Sequence, residues 1–140
     1  MIVNTGAGAE LSTEWTGAVR MLDRMKKLVV GSFVGGAVAT PGIAMVIYNL
    51  PLLLAFDVLK QVLVQARDEK SFTCSGSRLG ALMDSSKDSL PWIDWKGLRE
   101  GVRRRNEVAH DGKLFDSAQA IQDIESVEAQ LVAWGIIDAD

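Results

Sequence analysis

The stretch WKGLREGVRRRNEVAHDGKLF, residues 95–115, reads as one amphipathic helix closed by a glycine. It opens at Asp94 or Trp95 and ends near Asp111, with Gly112 free to take the left-handed conformation that closes a helix. Leu98, Val102, Arg105 and Ala109 follow one another at helical steps, so an arginine continues an otherwise apolar stripe. An arginine turned toward other helices needs a partner, because a buried unpaired charge is costly. It stands at a subunit interface or beside a cleft that receives an anion. Asn106 and His110, four apart, are neighbours on the adjoining face. Arg105 and His110 are five apart, about 140° around an ideal helix, and share no stripe. A pocket using both lies over the helix flank, follows a distortion near Gly112, or is assembled from two chains.

The same helix concentrates positive charge. From Lys96 to Arg105 there are five basic residues and one acid, Glu100. Such a patch can grip a phosphate backbone by displacing its counterions, which makes Arg99, Arg103 and Arg104 candidate RNA contacts. The plainer account is a solvated face whose arginines pair with acids such as Glu100 and Glu107.

Outward from this helix the chain is helical on both sides. A closing helix starts at Asp116-Ser117 and carries Ala118, Ile121, Ile124, Val127, Leu131 and Trp134, until Gly135 interrupts it and leaves the tail IIDAD loose. Upstream, a short helix spans roughly Arg78 to Met83, followed by a polar stretch to Ser89 and a turn at Pro91-Trp92. A long helix runs from Thr40-Pro41 to about Glu69, kinked at Pro51. A first helix opens near Ser12-Thr13-Glu14, places Trp15, Val19, Leu22, Met25, Leu28 and Val29 on one stripe, and ends at Gly35-Gly36. The expectation is one all-α domain over residues 1–140, a bundle of four to five helices.

Composition narrows the function classes. The chain has 140 residues, 48% of them hydrophobic, which supports a core and argues against disorder. Its net charge of −3 means that nucleic-acid binding has to come from a local patch. A single cysteine, Cys74, excludes an internal disulfide and a cysteine-based zinc cluster, and suits a reducing cytoplasm. The sequence offers no histidine–cysteine cluster for a metal and no cofactor is expected, although its scattered carboxylates leave a magnesium site open. The N-terminus lacks the positive head and apolar body of a signal peptide. From Leu28 to Phe56 there is no charged residue, a run long enough to cross a bilayer. Pro41, Pro51, Gly31, Gly35, Gly36 and Asn49 divide it, so two buried helices joined by a glycine-rich turn are expected instead. Trp15, Trp92, Trp95 and Trp134 read as packing anchors.

Arg105, polar Asn106, three further residues and His110, on the penultimate helix of a small bundle, resemble the RNase motif of the HEPN family. The segment LPLLLAFDVLKQVL, residues 50–63, and the closing amphipathic helix are similar to HEPN elements too. The resemblance covers roughly residues 40 to 135. It implies RNA cleavage without a metal: a base for the ribose 2′-hydroxyl, an acid for the leaving oxygen and a cation for the phosphorane. His110 suits acid–base work because its ordinary pKa lies near neutrality. The planar, permanently charged fork of Arg105 suits phosphate. Asn106 orients His110 or a phosphate oxygen.

One histidine per chain cannot be both acid and base through two imidazoles, and the family's answer is a symmetric dimer with both motifs facing one cleft. The resemblance therefore implies a homodimer, RNA as substrate, a toxin or phage-defence role and a cognate antitoxin protein. Some HEPN toxins carry a tyrosine two residues after the histidine, where AMP is attached; here that position is Gly112, and the single tyrosine is Tyr48. Two other readings compete: a HEPN-like module for dimerisation or nucleotide binding without catalysis, and a membrane-associated helical protein.

Overall fold

A computed structural model describes residues 2, 4–34 and 41–139, with the backbone alone at 21, 22, 25–34, 41–48 and 117. Its elements are α1 (Thr5–Val34), α2 (Pro41–Asp68), α3 (Leu79–Ser86), α4 (Trp95–Asp111) and α5 (Ser117–Ala133). The fold is an all-α bundle, with no strand among the described residues.

The axis of the bundle is α2, which touches each of the other four helices and meets α5 and α1 most extensively. Its sequence explains this role. Leu52, Ala55, Phe56, Leu59, Val62, Leu63 and Ala66 recur at three- and four-residue steps, and all are buried. At about 1.5–3 kcal/mol for each large apolar side chain removed from water, this stripe contributes strongly to the cohesion of the bundle. The segment Asn49–Asp68 is also long and apolar enough to cross a membrane. The charge-free run from Leu28 to Phe56 lies mostly on residues whose side chains are outside the described set.

The ends of the helices follow local chemistry. Asp94 caps α4 by accepting from Gly97 N at 3.0 Å, and Gly112 closes it at φ 65°. Asp116 caps α5 through Gln119 N at 2.8 Å, and Gly135 follows its end at φ 72°. The first helix starts earlier than Ser12. It opens at Thr5, where the Asn4 side chain accepts from Ala7 N at 3.1 Å, and Asn4 N donates to Glu69 Oε1 at 2.9 Å. Gly6 and Gly8 lower the intrinsic helix preference there, against which act the Asn4 cap, the tie to Glu69 and the burial of Leu11 and Trp15 further along the helix. Leu11, Trp15 and Ala18 are its buried stripe. The expected end at Gly35-Gly36 lies outside the described residues. The short helix extends to Ser86, beyond Met83. The tail after Gly135 is not loose: Ile136 is buried and Ile137 packs beside it on the core.

Three tryptophans fasten the α3–α4 connection. Trp92 Nε1 donates to Ser86 O at 3.2 Å, Trp95 Nε1 to Met83 O at 3.0 Å, and Trp134 Nε1 to Pro91 O at 3.2 Å. The Trp92 and Trp134 rings meet edge to face with centroids 4.7 Å apart. These contacts make them anchors, with their polar tips satisfied by backbone carbonyls.

Candidate functional site

The first half of α4 is buried and the second half emerges from the bundle. Leu98 and Val102 are buried, Arg105 is half-buried, and Ala109 and His110 are exposed. The stripe expected to run through Ala109 therefore stops at Arg105. Gly101 allows the close approach that seats the helix, since a Cβ there would meet Phe56 Cζ at 2.7 Å.

The four arginines of α4 have different fates. Arg99 reaches Asp84 of α3, Nε to Oδ1 at 3.0 Å, with its guanidinium lying against Gly80. Arg103 stays on its own helix, bonded to Glu100 at 3.1 Å and Glu107 at 2.8 Å. Its hydrogen bond to Glu100, then the charge of Glu107, push its pKa above the ordinary arginine value. Arg104 crosses to α5 and holds Asp123 by two parallel bonds of 2.7 Å. That hydrogen-bonded carboxylate raises the pKa of Arg104 as well. Asp123 is 4% exposed, which makes this the most buried ion pair among the described residues. Arg105 alone among the four has no carboxylate within reach. Its Nη1 donates to Asn106 Oδ1 at 3.2 Å, and its Nε is buried without a protein partner.

Arg105 opens onto a cleft of about 560 Å³ lined by Lys60, Arg78, Leu79, Gly80, Arg105, Asn106 and His110. This brings the three expected motif residues together, and leaves Arg99, Arg103 and Arg104 outside the lining, each bonded to a carboxylate instead. The α-helix is regular through Asp111. Of the three possibilities for joining Arg105 and His110, the cleft takes the first: it lies over the helix flank, with Asn106 between them. One protomer suffices to place all three.

Two lining residues were not expected. Lys60 comes from α2 and Arg78 from the residue before α3, and neither makes an ion pair among the described residues. Lys60 carried no signal in the sequence, since Asp57, Gln61, Gln65, Arg67 and Asp68 share the second half of α2 with it. Arg78 carried none, because its neighbourhood is made by the fold. The lining contains three cations and no carboxylate, in a chain of net charge −3. Three other hollows on the surface each include carboxylates: Glu128 and Asp138 in one, Glu10, Glu14 and Asp57 in another, Glu10 and Glu14 in the last. Lys60 stands on the divide between the cleft and the second of these. The first turn of α3 has no side-chain cap, which adds partial positive charge at Leu79 and Gly80. The cleft is built to attract an anion.

The segment after α4 is pinned. Buried Asn49 donates to Phe115 O at 2.7 Å and accepts from Phe115 N at 3.2 Å, which fixes the loop that follows His110. Cys74 is a free thiol that donates to Gly76 O at 3.5 Å. No group of three or more metal-ligating side chains exists among the described residues. Comparison with known proteins found no family model, no curated protein and no solved structure that matches this chain.

Proposed function

We propose that this chain is a metal-independent endoribonuclease of toxin or phage-defence type, acting in the cytoplasm as a homodimer. The observation that carries this reading is Arg105. It is the one arginine of α4 without a carboxylate, and it shares a carboxylate-free cleft with Asn106 and His110. The resemblance of this constellation to the HEPN motif supplies the reaction class.

In that reaction a base takes the proton of a ribose 2′-hydroxyl and the 2′-oxygen attacks phosphorus. The bond to the 5′-oxygen of the next nucleotide breaks, and an acid protonates that oxygen. The products are a 2′,3′-cyclic phosphate and a 5′-hydroxyl. Arg105 neutralises charge gathering on the phosphorane, a stabilisation of several kcal/mol in a partly buried site. Asn106 holds the Arg105 fork through its Oδ1. His110 serves as acid or base, and the partner's His110 supplies the other role across the two-fold axis. A cognate antitoxin protein would cover this cleft. Gly112 offers no acceptor for AMP at the position where some toxins carry tyrosine.

A second reading is a phosphate- or nucleotide-binding module without catalysis. It is favoured by His110 itself, whose ring is exposed and makes no hydrogen bond among the described residues. The readings separate on single-stranded RNA incubated in EDTA with the native chain, His110→Ala and Arg105→Ala. The nuclease cleaves and each variant loses about 100-fold or more. Absence of cleavage by the native chain leaves the binding module. Sedimentation of the same samples tests the dimer, and a monomer that cleaves RNA would remove the two-histidine mechanism.

A further inference from the structure

Lys60 and Arg78 are not part of the motif, and nothing in the reaction above uses them. They enter the cleft from two different elements, α2 and the start of α3, and converge on the side of Arg105. Neither is consumed by an acid, although Asp57 lies on the same helix as Lys60 and bonds Gln61 instead, at 2.9 Å. Arg78 has an exposed side chain and extended backbone, and makes no cap to its own helix. Three cations that make no ion pair among the described residues share one hollow, where they repel one another and favour an anion, although Glu10, Glu14 and Asp57 stand on the far side of Lys60. Arg105 needs one phosphate. Two further cations are more than that phosphate requires.

We propose that Lys60 and Arg78 form a second phosphate subsite, so that one protomer grips two successive phosphates of a single RNA strand. The scissile phosphate lies at Arg105 and the adjoining one at Lys60 and Arg78. The cleft volume of about 560 Å³ falls in the range of sites that take a small ligand, which is room for a nucleotide of one strand. A lysine and an arginine reading only phosphate make the grip independent of base identity. The inference rests on the cleft being an RNA site, and not on its cutting RNA. Because both cations come from the same chain as Arg105, the grip belongs to each protomer and persists where dimerisation fails.

The test uses a single-stranded 2′-O-methyl oligonucleotide, which has no free 2′-hydroxyl to attack phosphorus and so separates binding from cleavage. Its affinity is measured across a salt series for the native chain, Lys60→Gln, Arg78→Gln, the double variant and Arg20→Gln. Arg20 is an exposed base on α1, outside the cleft, and controls for general charge. Circular dichroism melts confirm that each variant is folded.

Each cleft substitution is expected to weaken binding, the double variant by on the order of tenfold or more at low salt. The slope of log affinity against log salt shrinks by about 0.7 for each phosphate contact removed. Arg20→Gln leaves both unchanged. Equal affinity and slope in the double variant and the native chain would overturn the subsite. So would an equal loss in Arg20→Gln, which would mean diffuse attraction. A nucleoside 5′-monophosphate or inorganic phosphate binding as tightly as the oligonucleotide would overturn the two-phosphate grip in favour of a free-anion site. The native RNA analogue in EDTA distinguishes the two proposals. Lys60- and Arg78-dependent binding without cleavage ends the nuclease reading alone. Cleavage with native-like binding by the double variant ends the subsite alone.

Discussion

Arg104 and Arg105 are adjacent on α4 and lead opposite lives. Arg104 turns toward α5, where Asp123 takes its fork in two bonds of 2.7 Å and Gln119 Nε2 donates to the same carboxylate at 3.2 Å. Arg105 turns toward α2 and α3, finds Lys60 and Arg78, and keeps a buried Nε with no protein partner. One side of the helix completes its electrostatics within the fold. The other leaves them open, which is how a surface is made to bind something outside itself. A paired arginine and an open one differ little in sequence and greatly in use.

The largest effect that could break this contrast lies on the paired side. Asp123→Ala leaves Arg104 mostly buried without its carboxylate, and is expected to cost about 3–5 kcal/mol in urea denaturation. Arg105→Gln, on the open side, should change stability by less than about 1 kcal/mol, since no ion pair is lost. Similar costs for the two would erase the distinction between the faces.

A smaller effect tests how the paired side is seated. In Gly101→Ala the new methyl meets the buried Phe56 ring, and overpacking of about 1–3 kcal/mol exceeds the gain in helix preference of about 1 kcal/mol. Gly17→Ala, with nothing within 4 Å of the added carbon, should instead stabilise by about 0.5–1 kcal/mol. Opposite signs in the two thermal melts sharpen the assignment of α4 to a close contact with α2.

Asn49→Ala removes both hydrogen bonds to the Phe115 backbone and is expected to cost about 1–3 kcal/mol. Its local signature is faster amide exchange at Phe115, in the loop that follows His110. Unchanged exchange there would show that the loop is held by other contacts. The smallest effect belongs to Arg103. Arg103 and Glu100 are exposed and Glu107 is half-buried on the same helix, and Arg103→Gln should leave the denaturation midpoint nearly where it is.

Much of the bundle was legible because its signals are local. Asp94, Gly112 and Asp116 mark helix ends through bonds to residues a few positions away, and the bounds of α4 follow from them. The pairing of Arg103 with Glu100 and Glu107 is legible for the same reason, three and four residues apart. The early start of α1 was hidden, because Gly6 and Gly8 speak against a helix and the tie from Asn4 to Glu69 spans 65 positions. Ile136 looked like tail and is core, since its burial depends on the chain folding back after Gly135. At the site, Arg105, Asn106 and His110 could be read from one helix. Lys60 and Arg78 could not, because only the packing of α2 and α3 against α4 brings them there. Nor could the bond from Arg104 to Asp123 be foreseen across 19 residues.

The central claim, that the open side of α4 cuts RNA through a 2′-hydroxyl, is tested most directly by the ends of the products. Single-stranded RNA is incubated in EDTA with the native chain and with His110→Ala, and the fragments are weighed by mass spectrometry. The account predicts fragments with 2′,3′-cyclic phosphate and 5′-hydroxyl ends from the native chain, and intact RNA from His110→Ala. Fragments with 5′-phosphate ends, equal cleavage by His110→Ala, or intact RNA in both samples would contradict it.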